Sequence, residues 1–299
     1  MTRHFEDKVV LVTGASRGIG REIASAFGRQ GAKIVLAARS AELLRAVKRE
    51  IEALGSTAIA VPTDVSDEAS VRVLIDTALA EFGRLDVLVN NAGIARVGGV
   101  AADAFATDLQ QTLQASLFGM IHVTRRALPV FVRQGSGAIV NMSSVMGRKA
   151  FASFGSYAIV MHGVSAFSDA LRQELAGSNI RVSVIHPGLT ATALLDEADP
   201  ADMPPPFRYM TPISPAAVAS AVVQAVRRGT RRVVLPRTAN MLLLGEALSP
   251  WLGDLIARAL TVRPVARLLG MSEAKPIARQ SLRPRRKKEH GSFGTGVAL

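Results

Sequence analysis

Cysteine is absent from this chain of 299 residues, and its absence excludes three kinds of site. Disulfides, thiolate nucleophiles and zinc sites built on thiolates all require cysteine. Histidine is scarce as well, and the five histidines lack the spacing of metal ligands. The sequence therefore predicts neither a disulfide framework nor a metal centre.

Long uncharged apolar runs are also missing. No such stretch reaches the roughly 18 residues that a membrane-spanning helix needs. The first residues, MTRHFEDKVVLVTG, lead straight into a predicted strand and lack the apolar run and small-residue cleavage site of a signal peptide. We therefore expect a cytoplasmic protein.

Positive charge is in excess, with a formal net charge of +12, but it is unevenly distributed. Residues 272–299 hold seven lysines and arginines against two glutamates and show no hydrophobic periodicity, which predicts a disordered basic tail. Its RPRRKK run has no interleaved aromatics, so we expect no specific nucleic-acid partner. The rest divides into a main domain at 1–236 and an amphipathic helical extension at 237–271.

Strand and helix patterns alternate along the main domain. Apolar, β-branched runs predict seven strands, at 8–14, 32–39, 57–65, 85–93, 137–144, 179–188 and 231–236. Helical periodicity fills the intervals, with two long helices at about 108–133 and 155–176. This order predicts an α/β fold, a Rossmann-type doubly wound parallel sheet with its ligand beyond the carboxyl ends of the strands.

A glycine-rich turn, Thr13-Gly14-Ala15-Ser16-Arg17-Gly18-Ile19-Gly20, joins the first strand to the first helix. Its glycines permit a tight turn and let the backbone approach a pyrophosphate at the helix N-terminus. An ordinary strand-to-helix turn is the alternative. The position of the motif between a strand and a helix favours a nucleotide site.

The G-x-x-x-G-x-G spacing of this turn resembles that of the short-chain dehydrogenase/reductase family, and three further segments match the family. Asn90-Asn91-Ala92-Gly93 closes the fourth strand, Asp64-Val65 follows the third, and Pro187-Gly188 with Thr192 follows the sixth. The resemblance implies that the first segment supports the sheet and the cofactor, that Asp64 meets the adenine, and that the last segment contacts the nicotinamide end. It covers about residues 5–235.

The charge at the end of the second strand indicates which dinucleotide binds. NAD binding calls for an acidic residue that hydrogen-bonds the ribose 2′-hydroxyl, and Leu36-Ala37-Ala38-Arg39-Ser40 contains none. Arg39 and Arg17 are instead suited to a 2′-phosphate, because guanidinium groups match phosphate geometry. Two solvated arginines are the alternative. We predict NADP(H).

The resemblance also implies a reaction. In the family, a tyrosine exchanges a proton with the substrate oxygen during hydride transfer, and a serine hydrogen-bonds that oxygen. A lysine four residues after the tyrosine holds the nicotinamide ribose and lowers the tyrosine pKa, and an asparagine keeps a water in the proton path. Tyr157 and Ser144 match the first two. Ser116 stands at the asparagine position, where it can still hydrogen-bond water, and Met161 stands at the lysine position.

Met161 leaves the tyrosine without its expected cation. A nearby cation shifts a pKa by about one to three units, so its loss costs on the order of ten- to a thousandfold in rate. Reduction of a carbonyl suffers less, because the tyrosine then acts as an acid. Arg148 and Lys149, on the loop after Ser144, are candidates to replace the cation. His162 is not, since it lies about 140° round the helix from Tyr157.

These residues are compatible with two functions. The first is an NADP(H)-dependent oxidoreductase that interconverts a ketone and a secondary alcohol. Its substrate is expected to be small and hydrophobic, because the loop at 189–214 contains Leu194, Leu195, Met203, Phe207 and Met210. The second is a catalytically inactive dinucleotide-binding protein that acts as a sensor or scaffold. By resemblance, a homodimer or homotetramer forms through the two long helices.

The extension carries apolar residues roughly on one helical face, namely Trp251, Leu252, Leu255, Ile256 and Leu260. One explanation is a helix packed on the domain or at a subunit interface. The other is peripheral membrane contact through 238–290, with the basic tail drawn to anionic lipid.

Overall fold

The structure is a computed structural model that describes residues 4–191 and 212–259, with the backbone alone at 258 and 259. Its seven strands are β1 Val9–Thr13, β2 Lys33–Ala38, β3 Ala58–Pro62, β4 Val87–Asn90, β5 Gly137–Met142, β6 Ile180–Pro187 and β7 Arg232–Leu235. They form one sheet in the order β3-β2-β1-β4-β5-β6-β7, and every neighbouring pair is parallel. The predicted doubly wound α/β sheet of Rossmann type is confirmed.

Nine α-helices accompany these strands within the described ranges. They are α1 Gly18–Gly28, α2 Ala41–Ala53, α3 Glu68–Phe82, α4 Phe105–Thr112, α5 Gly119–Gln134, α6 Gly155–Glu174, α7 Pro215–Arg228, α8 Ala239–Leu248 and α9 Pro250–Ala259. Helices α1, α2 and α7 pack on one face of the sheet, and α3, α5 and α6 pack on the other.

The central strand β1 explains why the sheet is buried on both faces. All five of its residues are buried, and successive side chains point to opposite sides. Val10 and Val12 enter the apolar layer of α1, whereas Val9 and Leu11 enter the layer of α3 and α5. The sequence of a strand that helices cover on both faces is a continuous apolar run, and this pattern is typical of parallel sheets.

The helix predicted at 108–133 is not continuous. A π-helical turn, Leu113–Phe118, separates α4 from α5. Such a turn inserts an extra residue between hydrogen-bonded partners and often marks a functional position. Here it holds Ser116, whose side chain is buried.

Helices α8 and α9 form a helical hairpin that packs through two glycines. A Cβ at Gly245 would collide with the Ile256 side chain, and one at Gly253 would collide with Glu246. The buried Lys149 attaches the hairpin to the loop after β5, since its Nζ lies 2.7 Å from Glu246 Oε2 and 2.6 Å from Asp254 Oδ1.

Within the described ranges, no helix is long and apolar enough to span a membrane. The predicted tail at 272–299 and Leu260 lie outside those ranges, so the division of the chain into domain, extension and tail stays a prediction.

Candidate active site

A cleft of about 1430 Å³ opens at the carboxyl ends of the strands. The predicted site residues that line it are Gly14, Ser16, Arg17, Gly18, Ile19, Arg39, Asp64, Val65, Asn91, Ala92, Gly93, Ser116, Ser144, Tyr157, Pro187 and Gly188. Gly20 lies behind the glycine-rich turn, and Thr192 falls outside the described residues. The topology therefore brings together residues that are up to 174 positions apart in the sequence, from Gly14 to Gly188.

The glycine-rich turn has the geometry that a pyrophosphate requires. Helix α1 begins at Gly18, and its first residues line the cleft. A Cβ at Gly20 would lie 2.6 Å from Asn91 Nδ2, so no side chain fits behind the turn. The same Nδ2 donates to the carbonyl oxygens of Thr13 and Gly14, at 3.1 and 3.3 Å. Asn91 thus holds the turn at the N-terminus of α1, where the backbone N–H groups of a helix can bind an anion.

The end of the cleft beside β2 carries two exposed arginines and one aspartate. Arg17 and Arg39 both line it, and Ser40 caps α2 by accepting a hydrogen bond from Leu43 N. The Asp64 carboxylate accepts hydrogen bonds from the backbone and side chain of Ser66, at 2.9 and 2.7 Å. These bonds, with a smaller contribution from the charge of Arg39, lower the pKa of Asp64.

Tyr157 and Ser144 meet at the opposite end of the cleft. Ser144 follows β5, and its Oγ accepts from Met146 N at 3.1 Å, which fixes the hydroxyl at the start of a short 3₁₀ turn. Tyr157 lies in the first turn of α6, and its phenol is hydrogen-bonded to Ser144. Burial raises the pKa of Tyr157, and the bond to Ser144 offsets only part of that rise. The phenol is therefore a neutral acid at physiological pH.

Met161 occupies the cleft wall one helical turn after Tyr157. It is 5% exposed and belongs to an apolar cluster with Met120, Val160 and Val164, against which Tyr157 also packs. Its carbonyl oxygen accepts hydrogen bonds from Ser143 and Ser165. The cationic residues among the described lining are Arg17, Arg39 and Arg96, so no lysine stands beside this phenol.

Neither basic residue of the loop after Ser144 replaces the missing cation. Lys149 is directed to Glu246 and Asp254 of the hairpin. Burial lowers the pKa of Arg148, which senses the charges of Arg232 and Asp169 instead. Neither of the two candidates lines the cleft.

Ser116 closes the floor of the cleft from the π-helical turn. Its hydroxyl accepts from Ile94 N at 3.0 Å and lies 3.4 Å from Ile94 O. A Cβ at Gly93 would come within 2.9 Å of the same hydroxyl. Ser116 therefore binds the Gly93–Ile94 segment to the helix, and its part in a proton path stays a prediction.

An apolar wall beside Tyr157 was missed by the sequence interpretation. It consists of Val97, Met146, Phe154 and Leu189, which pack around the phenol and line the cleft. These residues come from three separate loops and share no periodic pattern, so no sequence signal joins them. The apolar residues predicted to shape the pocket, at 194, 195, 203, 207 and 210, lie outside the described residues.

Comparisons with known proteins agree with this geometry. The family model of the short chain dehydrogenases matches residues 8–202. The chain belongs to the short-chain dehydrogenase family. It is 34% identical over 258 residues to the ketoacyl reductase HetN of Nostoc sp., covering 84% of this chain and 88% of that protein. It is also 34% identical to an uncharacterized oxidoreductase of Staphylococcus saprophyticus, over 75% of this chain and 91% of the relative.

Among solved structures, levodione reductase superposes with a TM-score of 0.71 at 27% identity, covering 78% of this chain and 97% of that one. The family and its relatives make this chain an oxidoreductase of the ketone/alcohol type that uses a nicotinamide dinucleotide.

Buried His186 on β6 makes the stability of the protein depend measurably on pH. It is fully buried, and its Nδ1 lies 2.9 Å from the backbone oxygen of Ser144. Burial, together with the charges of Arg232 and Arg148, lowers its pKa from 6.5 to about 4 despite the bond to Ser144. The unfolded chain thus binds one more proton than the folded chain between those pH values.

We therefore expect the free energy of unfolding to fall by about 3 kcal/mol as the pH drops from 6.5 to 4, from this residue alone. Urea unfolding of the wild type and of His186→Gln, whose amide can still donate to Ser144 O, measures the difference. Equal slopes of stability against pH in the two proteins would contradict this assignment.

Proposed function

We propose that this protein reduces small hydrophobic ketones to secondary alcohols with NADPH. Tyr157 donates the proton, and Ser144 hydrogen-bonds the substrate oxygen. The observation that supports this most is the phenol of Tyr157, which is neutral, bonded to Ser144 and packed against an apolar wall. The bound dinucleotide supplies the hydride.

The missing cation favours one direction of the reaction. Ketone reduction needs a proton donor, and a phenol with a raised pKa is fully protonated at pH 7. Alcohol oxidation needs a base, and about 0.1% of an ordinary tyrosine is ionised at that pH. Met161 therefore biases the site towards reduction, with slow oxidation.

A second function is supported by the same residue. Met161 fills the lysine position with a side chain that packs in an apolar cluster, which suits a protein that binds the dinucleotide without turning over. Such a protein would act as a sensor or scaffold. The intact Ser144–Tyr157 pair favours the reductase.

Single-turnover oxidation of NADPH by a panel of hydrophobic ketones distinguishes the two. We expect turnover in the wild type and a loss of at least about a hundredfold in Tyr157→Phe, because general acid catalysis contributes roughly 10² to 10⁴. The wild-type rate should be constant through neutral pH and fall only above about pH 10, where an ordinary phenol ionises, because burial raises the pKa of Tyr157.

Two substitutions at one position serve as test and control. Met161→Leu keeps the packing volume and should retain the wild-type rate. Met161→Lys should raise alcohol oxidation relative to ketone reduction by about ten- to a thousandfold. NADPH binding without turnover in the wild type, with activity only in Met161→Lys, would establish the sensor or scaffold function instead.

The preference for NADPH over NADH rests on Arg39 and Arg17. Both are exposed at the end of the cleft beside β2, and no acidic residue ends β2. We expect Arg39→Ala to weaken NADPH binding by about ten- to a hundredfold, the value of one or two charge-assisted hydrogen bonds, and to leave NADH unchanged. Arg45→Ala, an equal charge change on α2 outside the cleft lining, should change neither. Tighter binding of NADH in fluorescence titration would refute the preference.

A homodimer or homotetramer is supported by apolar residues exposed on the long helices. Phe118, Val132 and Ile159 expose 42%, 58% and 51% of their surface on or next to α5 and α6. Pairing of these helices between copies would bury them. Sedimentation equilibrium should give at least twice the mass of one chain, and a monomer mass would exclude this assembly.

A further inference from the structure

The helical hairpin leaves two apolar stripes uncovered. We call these two stripes the hairpin face, which consists of Met241, Leu244 and Leu248 of α8 and Trp251 and Leu255 of α9. Each of the five exposes between 46% and 72% of its surface. Within each helix the spacing is three or four residues, so the side chains share one side of the helix. The stripes meet at the turn between Leu248 and Trp251.

Other residues of the hairpin pack inside the protein. Leu242 and Gly245 are buried, and Leu252 and Ile256 pack at Gly245. The four apolar residues of α9 that the sequence placed on one face thus divide into an inner pair and the exposed pair of Trp251 and Leu255. Contiguous exposed apolar surface of this kind marks an interaction site.

Lys149 reduces the negative charge that the hairpin presents to an anionic surface. Glu246 and Asp254 are both bonded to Lys149, which neutralises part of their charge. The chain that follows the hairpin, residues 260–299, contains nine lysines and arginines against two glutamates. An apolar face next to a strongly basic segment is complementary to a bilayer with anionic headgroups, and neither signal alone anchors a protein stably.

We propose that the hairpin face docks on the surface of an anionic membrane, with its five side chains at the boundary of headgroups and acyl chains. The contact is peripheral, and it does not depend on the proposed reaction.

Trp251 reports on this contact directly, because it is the single tryptophan of the chain. The full-length protein is titrated with vesicles of phosphatidylcholine alone and of phosphatidylcholine with phosphatidylglycerol. With the anionic vesicles we expect a blue shift of the emission and quenching by brominated acyl chains. Both should weaken as salt is added, since exposed charges are screened over about 10 Å at 0.1 M.

A charge-matched pair of double variants separates the apolar face from general electrostatics. Leu244→Glu/Leu248→Glu should weaken partitioning into anionic vesicles by about tenfold or more, because two leucines no longer leave water. Leu54→Glu/Val73→Glu makes the same charge change at two other exposed residues, the C-cap of α2 at 42% and a residue of α3 at 55%, and should stay within about threefold of the wild type. Circular dichroism shows that both remain folded.

Four outcomes would overturn the proposal. The first is an unchanged Trp251 emission with either vesicle, and the second is equal binding to neutral and anionic vesicles. The third is an emission that is blue-shifted without lipid and shifts further with protein concentration, which would assign the hairpin face to a second copy of the chain. An equal loss of binding in the two double variants would reduce the effect to charge alone and would also overturn it.

Discussion

A chain of buried hydrogen bonds holds the two long helices of the site against the sheet. Asn90 Nδ2 at the end of β4 donates to Thr124 of α5 at 2.9 Å and to Asn141 Oδ1 of β5 at 2.8 Å. Asn141 Nδ2 donates in turn to Ser168 of α6 at 2.9 Å. Buried amides are costly without partners, so these bonds specify one arrangement of strands and helices. The positions of Ser116, before α5, and Tyr157, on α6, follow from that arrangement.

The replacement of lysine by Met161 changes what stabilises the centre of α6. A buried lysine ammonium needs a partner, because the desolvation of an unpaired charge costs several kcal/mol. A methionine instead gains about 1.5–3 kcal/mol from burial of its side chain, and Met120 and Val164 surround it here. The helix is therefore stable on its own packing, without an anion or ribose beside it. What is lost is the electrostatic control of Tyr157, whose pKa now depends on burial and on Ser144 alone.

Much of the fold and of the nucleotide cleft was accessible from sequence, because parallel strands and glycine-rich turns depend on local patterns. The run at 8–14 and the Thr13–Gly20 turn carry their own periodicity and spacing. The π-helical turn has no local pattern of its own, because it preserves the apolar spacing of an ordinary helix to within one residue.

The directions of side chains on irregular loops were inaccessible for a different reason. Whether Lys149 faces the cleft or Glu246 depends on a contact between residues 97 positions apart, and no local rule encodes it. No local rule encodes the difference in exposure between Leu252 and Trp251 either. These two residues are adjacent in sequence, but only the side of α9 that carries Leu252 packs at Gly245.

One short segment of the chain joins Ser144 to the helical hairpin. From Ser144 the chain runs through the 3₁₀ turn Val145–Gly147 to Lys149, which binds the hairpin. Gly147 fits against α6 so closely that a Cβ there would lie 2.5 Å from the Met161 carbonyl oxygen, and Ser143 and Ser165 bond to that same oxygen. The segment is thus fixed at α6 at one end and at the hairpin at the other. Ser144 therefore lies five residues from the side chain that binds the hairpin.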